Sequence, residues 1–329
     1  MAHESKAILH EEKSGQQVTS LGDWYGRIRQ MPRYSSALVF LTIVAATLRI
    51  GFLTSKSLWL DEGITAYIVS LALPSLVKKT LVNDTNMTLY HVLLPGWTQV
   101  AGLSQVSLRL PSVIFATATV PILYALGKEM YDRKVALLAA LLLSVNAASI
   151  EYAQQARSYA MVMMMVTLSA LLFIRSLKRS SRGRRASYVI VGTLCAFAHL
   201  FGALILPAQF LAVFLFPTEN QTKRRIAISV FLVGILSVPA FALVMLHDHG
   251  QTGWITPPTT KKVIHLFAKL SGIFWGQFHP IGLLLFGAYL AAIAIALLGA
   301  SKPERPPNFF LLSAVVLPVL TALLVSIRK

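Results

Sequence analysis

SLRLPSVIFATATVPILYALGKEMYDRKVALLAALLLSVNAASIEYAQQARSYAM, residues 107–161, holds two long apolar runs with a short basic break between them and a polar turn after them. The runs, at residues 108–127 and 135–150, have the length a helix needs to cross a hydrocarbon layer. Backbone groups in lipid must be satisfied within the segment. These runs lack the polar–apolar alternation of a barrel strand, so they read as helices.

Working outward, the same grammar repeats. Spans are expected at residues 35–53, 108–127, 135–150, 159–174, 226–246, 281–298 and 309–324. The block at 188–216 is too long for one ordinary crossing. Gly202 and Pro207 near its middle predict two short helices turning around residues 199–202, for about nine spans in all. Residues 1–34 are polar, mixed in charge and without a signal-peptide h-region, and read as a cytoplasmic tail ahead of a transmembrane domain at 35–329.

Composition agrees. Hydrophobic residues make up 55% of the chain, charged ones only 13%, and the mean hydropathy is +0.64. A soluble domain carries about a quarter charged residues, so this is an all-α polytopic membrane protein. The net charge of +17 is concentrated at span ends, as in RSLKRSSRGRR at 175–185 and TKRR at 222–225. That is the positive-inside pattern, not the accessible basic face with interleaved aromatics that a nucleic-acid partner requires. The basic loops share one side only if the apolar segment at 89–103 lies on the outer surface without crossing. Tyr90, His91, Trp97 and Gln99 suit such an interface. The outer face then carries a first loop at 54–107, a turn at 151–158 and a loop at 247–280.

Polar chemistry gathers on that outer face. In SLWLDEGITAY (57–67), Asp61 and Glu62 follow the first span. One carboxylate can take a proton from an acceptor hydroxyl while its neighbour orients a group or helps hold a cation; the structural alternative for Asp61 is a helix N-cap. Arg157, in EYAQQARSYAM, and Arg109, in SLRLPS, sit at span ends. There they either bind a phosphate through the guanidinium fork or snorkel to the interface. Lys78 and Lys79 are weaker additions to such an anion pocket. Tyr90, His91, Tyr159, His199 and Trp254, the last in GWITPP (253–258), are candidates to meet a sugar or phosphate. The histidines form no metal-ligand pattern. Cys195, the single cysteine, excludes an internal disulfide and reads as a small buried hydrophobe, and the methionines at 161 and 163–165 read as packing. Asn83-Asp84-Thr85 and Asn86-Met87-Thr88 fit the N-glycosylation pattern.

Together WLDEGITAY, NMTLYHVLLPGW, the 107–161 stretch, AHLFGALILPAQF and GWITPP resemble, in order and spacing, the GT-C superfamily of polyprenyl-phosphate-sugar-dependent glycosyltransferases. The similarity is greatest to the bacterial branch akin to protein mannosyltransferases and aminoarabinose lipid A transferases. The resemblance implies a GT-C-like helix bundle with juxtamembrane helices in the first outer loop. It also implies a hexosyl- or pentosyltransferase of the bacterial plasma membrane. Such an enzyme moves one sugar from a polyprenyl-phosphate carrier to a lipid, glycan or protein hydroxyl at the periplasmic or exterior face, with inversion. Asp61 matches the general base and Glu62 its acidic neighbour; Arg109 and Arg157 match arginines near the carrier phosphate. A divalent cation is used by some members and not others. Two departures stand out: Gln155 occupies a position where relatives often have glutamate, and the chain stops at SIRK, where relatives continue with an outer segment that covers the site. The competing readings are a transporter or flippase of lipid-linked sugars, which calls for broken helices with polar groups at midplane, and an inactive fragment.

Overall fold

The computed structural model describes residues 21–51, 53–83, 85–247, 259, 280–298 and 303–327. Among these the chain forms helices and no strand. The helices are α1 (Leu21–Ile50), α2 (Leu60–Ser70), α3 (Leu73–Asn83), α4 (Thr88–Ala101), α5 (Gln105–Met130), α6 (Arg133–Val145), α7 (Ala147–Ala153), α8 (Tyr159–Lys178), α9 (Arg182–Ala198), α10 (Leu206–Leu215), α11 (Asn220–His247), α12 (Pro280–Leu298) and α13 (Arg305–Ile327). Short 3-10 turns occupy Thr85–Met87 and Leu200–Ile205.

Four helical stretches are long and apolar enough to cross a membrane: Arg33–Ile50 within α1, α5, α8 and Asn220–Leu246 within α11. The run expected at 135–150 is not one straight helix. Asn146 ends α6, and its side chain accepts the Ser149 N–H at 2.8 Å, starting α7 at a bend of 57°. If that pair is one bent span, the number rises to five. The 188–216 block divides as its glycine and proline indicate, with His199 ending α9 and Pro207 in the first turn of α10. A Cβ on Gly202 would stand 2.5 Å from the Cys195 carbonyl oxygen, so only glycine lets this turn fold back on α9. The helix containing the first span begins at Leu21, inside the stretch expected to be a polar tail.

Lipid tails are as apolar as leucine, so burial alone does not drive helices together there; close packing and internal hydrogen bonds do. The main core joins α5, α8, α9, α10, α11 and α13 around Phe173, Ile174, Tyr188, Val213, Val233 and Phe310. Within it the Tyr188 hydroxyl donates to Gln209 Oε1 at 2.8 Å, and Gln209 Nε2 donates to Ser169 Oγ at 3.1 Å. All three side chains are buried, so the network ties α8, α9 and α10 where water is absent.

A second core lies under the first outer loop, where Val69, Met87, Tyr90 and Leu94 pack on Leu108, Ala156, Met161 and Ala198. The segment at 89–103 is α4, whose 14 residues are too short to cross. It is a juxtamembrane helix, as the charge argument required. At the water boundary, burying Tyr90 and Leu94 is worth about 1.5–3 kcal/mol each. This seats α2 and α4 over the outer ends of α5, α8 and α9.

Candidate active site

Asp61 and Glu62 lie in the first turn of α2, one residue apart and so rotated by roughly 100°. That rotation separates their fates. Trp59, not Asp61, is the N-cap, so the capping alternative for Asp61 does not hold. Glu62 turns inward and is fully buried. Its Oε1 accepts from Arg109 Nε (2.8 Å) and the Ala156 N–H (2.8 Å), and its Oε2 accepts from Arg109 Nη2 (2.6 Å) and the Trp59 N–H (3.3 Å). Burial pushes this carboxyl up, but the Arg109 guanidinium and the two backbone N–H groups more than offset it and hold it below the usual carboxylate range.

Arg109 completes the clamp from the first turns of α5. Besides Glu62, its Nη1 donates to the carbonyls of Leu53 (2.6 Å) and Lys56 (2.9 Å), and its Nη2 to that of Ser57 (3.1 Å). A guanidinium has five N–H groups, and here each has a protein acceptor. The sequence reading of Arg109 as a phosphate ligand and of Glu62 as a catalytic partner is therefore revised: each already holds the other, together with the loop at 53–57.

Asp61 faces the other way, with a side chain 35% exposed. Its Oδ2 stands 4.0 Å from Arg157 Nη2, a charge pair rather than a hydrogen bond. Arg157 sits in the turn between α7 and α8, fixed by its own carbonyl, which accepts from Ser112 Oγ at 3.2 Å. A cleft of about 790 Å³ is lined by Ser55, Lys56, Trp59, Glu151, Tyr152, Gln155 and Tyr159, with Glu62 and Arg109 in its wall; Asp61 and Arg157 lie close to these residues in sequence but do not themselves line it. Glu151 Oε2 is buried with no hydrogen-bond partner among the described residues. Tyr152 and Tyr159 meet edge-on at 5.3 Å between ring centres.

The remaining candidates divide. Tyr159 lines the cleft, and its ring lies 6.1 Å from that of His199. Tyr90 and His91, expected to meet substrate, are buried on α4 instead; burial pushes the Tyr90 phenol up to about 12. Burial and the Arg157 charge bring both His91 and His199 down to about 4, so both imidazoles are neutral. Lys78 and Lys79 do not line the cleft. Trp254 lies outside the described residues.

A cation site fits poorly. Glu62 has both oxygens taken by N–H donors, which leaves it no open oxygen for a divalent ion. No group of three or more His, Cys, Asp or Glu among the described residues could hold a metal.

Three positioning residues escaped the sequence reading. Arg49, at the end of α1, is fully buried. Its Nη1 donates to the carbonyls of Ala45 (3.0 Å) and Ser144 (3.1 Å), its Nη2 to Leu143 O (3.0 Å) and Ser149 Oγ (2.8 Å). It thus occupies the acceptors exposed by the α6–α7 bend. Gln154 Nε2 donates to Arg49 O (3.2 Å) and Gly51 O (2.7 Å), binding the outer turn to the first span. Asn86, read as a glycosylation acceptor, accepts the Leu200 N–H at 2.9 Å and has its Nδ2 3.2 Å from His199 Nε2. A lone arginine inside an apolar run was the available signal for Arg49, since such a charge must find acceptors.

A family model described as dolichyl-phosphate-mannose-protein mannosyltransferase matches residues 87–247. Among solved structures, an Archaeoglobus fulgidus oligosaccharyltransferase tethered with an acceptor peptide aligns with a TM-score of 0.50 and 12% identity, covering 88% of this chain and 38% of that one. The archaeal oligosaccharyltransferase AglB from Archaeoglobus fulgidus, in complex with an inhibitory peptide and a dolichol-phosphate, aligns at 0.48 and 14%, covering 89% and 38%. The chain therefore spans well under half the length of these neighbours. No curated protein sequence matches it. Over residues 87–247, which include Arg109 and the turn at 151–158, this chain is similar to that mannosyltransferase family, and its helical fold is like that of the tethered enzyme.

Proposed function

We infer that this chain transfers a single sugar from a polyprenyl-phosphate carrier to an acceptor hydroxyl, with inversion, at the extracytoplasmic face of a bacterial plasma membrane. The observation that carries the reading is the split between two adjacent carboxylates. Glu62 is consumed by the Arg109 clamp, whereas Asp61 stays open to solvent with a cation 4.0 Å away. An accessible carboxylate beside a guanidinium is what an in-line displacement at an anomeric carbon needs. Asp61 takes the proton of the attacking hydroxyl as the new glycosidic bond forms, while Arg157 stabilises the phosphate that departs with the old bond's electrons. The clamp sets the angle between them, since it joins the start of α2 to Ala156, the residue before Arg157. Glu151 offers an acceptor for a sugar hydroxyl in the cleft, and Tyr159 an apolar face. The carrier's tail stays in lipid while its head enters between α2 and the α7–α8 turn.

The test is transfer of labelled sugar from a polyprenyl-phosphate donor to membrane acceptors, comparing the native chain with Asp61→Asn at equal expression. Transfer that disappears in the variant supports the assignment. Equal transfer by both rejects Asp61 as base. Carrier movement across the bilayer without glycoside formation by either points to a transporter, and no activity with any donor sugar rejects the chain as a self-sufficient enzyme.

A further inference from the structure

Far from the cleft, at the opposite ends of the helices, α9 and α11 part to leave a second cavity of about 450 Å³. Its lining repeats at helical spacing. Arg185, Ala186, Val189 and Ile190 come from α9, and Arg225, Ile228, Ser229 and Leu232 from α11. The two arginines lie near the start of their helices, beside the basic loops, and everything deeper is apolar or small. Ser229 turns its hydroxyl back onto the Arg225 carbonyl at 3.0 Å and so adds no open polar group.

The groove is short. Residues 225 to 232 advance about 10 Å along a helix axis. It closes where α9 and α11 touch, since a Cβ on Gly192 would come within 3.0 Å of both Val233 methyl groups. That length cannot seat a second membrane-crossing helix, and charge at one end only does not suit one. It does match the glycerol backbone and first carbons of an acyl chain. Its rim is continuous with the lipid-facing surface, where Ile190, Ile228 and Leu232 are 59%, 50% and 42% exposed.

We propose that this groove binds one anionic phospholipid from the leaflet on the side of the basic loops. Arg185 and Arg225 hold its phosphate, and Val189, Ile190, Ile228 and Leu232 hold the upper part of one chain. Two guanidiniums from different helices distinguish such a site from diffuse attraction, because a phosphate between them links α9 to α11.

The experiment is native mass spectrometry of the full chain in detergent, titrated separately with dioleoylphosphatidylglycerol and dioleoylphosphatidylcholine, with inorganic phosphate as competitor. One phosphatidylglycerol should be retained at concentrations roughly tenfold or more below those needed for phosphatidylcholine. That preference should vanish in Arg185→Gln/Arg225→Gln and persist in Arg182→Gln/Arg184→Gln, which removes the same charge from residues that do not line the groove. Ile228→Trp, which fills the groove and leaves both arginines, should lose the lipid too and serves if the double variant misfolds. Equal retention of the two lipids, equal loss in the control pair, displacement by inorganic phosphate, or undiminished binding in Ile228→Trp would each overturn the proposal.

Discussion

Replacing Arg109 with methionine should unfasten the outer loop from the membrane bundle. The side chain is 4% exposed and its partner Glu62 fully buried, so the variant strands a carboxylate in the interior and frees three loop carbonyls. Removing one member of a buried, bidentate pair costs about 3–5 kcal/mol. Glu62→Gln should cost less, because the packing remains. Yet an amide has one acceptor oxygen where the carboxylate uses two against four N–H groups, so at least one donor is left facing an NH2 group. The combination Glu62→Leu/Arg109→Met removes both charges and should recover part of the loss, giving a coupling of about 1.5–3 kcal/mol in a double-mutant cycle. Reversible unfolding in mixed micelles supplies the free energies. Hydrogen exchange at residues 53–62 should rise first, before exchange within α8 or α9. Strictly additive single variants, or an Arg109→Met protein whose 53–62 backbone stays protected, would refute the clamp as the element that positions Asp61.

Other expectations follow from the same geometry. The depressed carboxyl of Glu62 contributes stability above the ordinary carboxylate range and loses it only as pH falls through its lowered value, so the clamp should survive mild acid. The histidines act in the same direction, but in a higher pH window. His91 and His199 fall from 6.5 to about 4, so between those values the unfolded chain binds more protons and stability should decline as pH drops, by up to about 3 kcal/mol per histidine. Unfolding at pH 7 and pH 5 checks this, and a flat profile contradicts it. Arg157→Ala should raise the donor concentration needed for half-maximal transfer and slow turnover, whereas Lys78→Ala should alter neither; initial rates across donor concentrations decide. Gly202→Ala should cost about 1–3 kcal/mol by forcing the turn off the Cys195 carbonyl, and a melting temperature equal to the native chain's would argue against that contact.

How much of this was legible in the sequence depends on whether the signal was local. Hydropathy locates the bundle because a span is defined by its own residues, and the basic loops fix α4 as a surface helix because charge sidedness is a sum over short segments. The break at His199 was readable in Gly202 and Pro207 for the same reason. The bend at Asn146 was not. It depends on Arg49 reaching the Ser144 and Leu143 carbonyls from 95 and 94 positions away. Likewise, nothing in LDEG states which of two adjacent acids turns inward.

The family resemblance set Asp61 as base beside Glu62 and put Arg109 and Arg157 together at the carrier phosphate, but it did not foresee that Glu62 and Arg109 hold each other. Burial divides the two acids. A carboxylate that accepts four N–H bonds in the interior is a poor base, because protonating it would break the bonds that hold it. Asp61, its side chain 35% exposed, faces Arg157 at 4.0 Å instead. On the proposed function, the DE pair at 61–62 divides its work: the buried acid fixes the start of α2, and the exposed one takes the acceptor's proton. Interchanging them, as in Asp61→Glu/Glu62→Asp, should fail at both tasks. The shorter inner side chain falls short of Arg109 by about one methylene, and the longer outer one overshoots the position that Arg157 faces. Loss of transfer and of 53–62 protection together is the expected result, and loss of transfer alone would mean that the clamp tolerates the shorter acid and that reach at position 61 is the sole constraint.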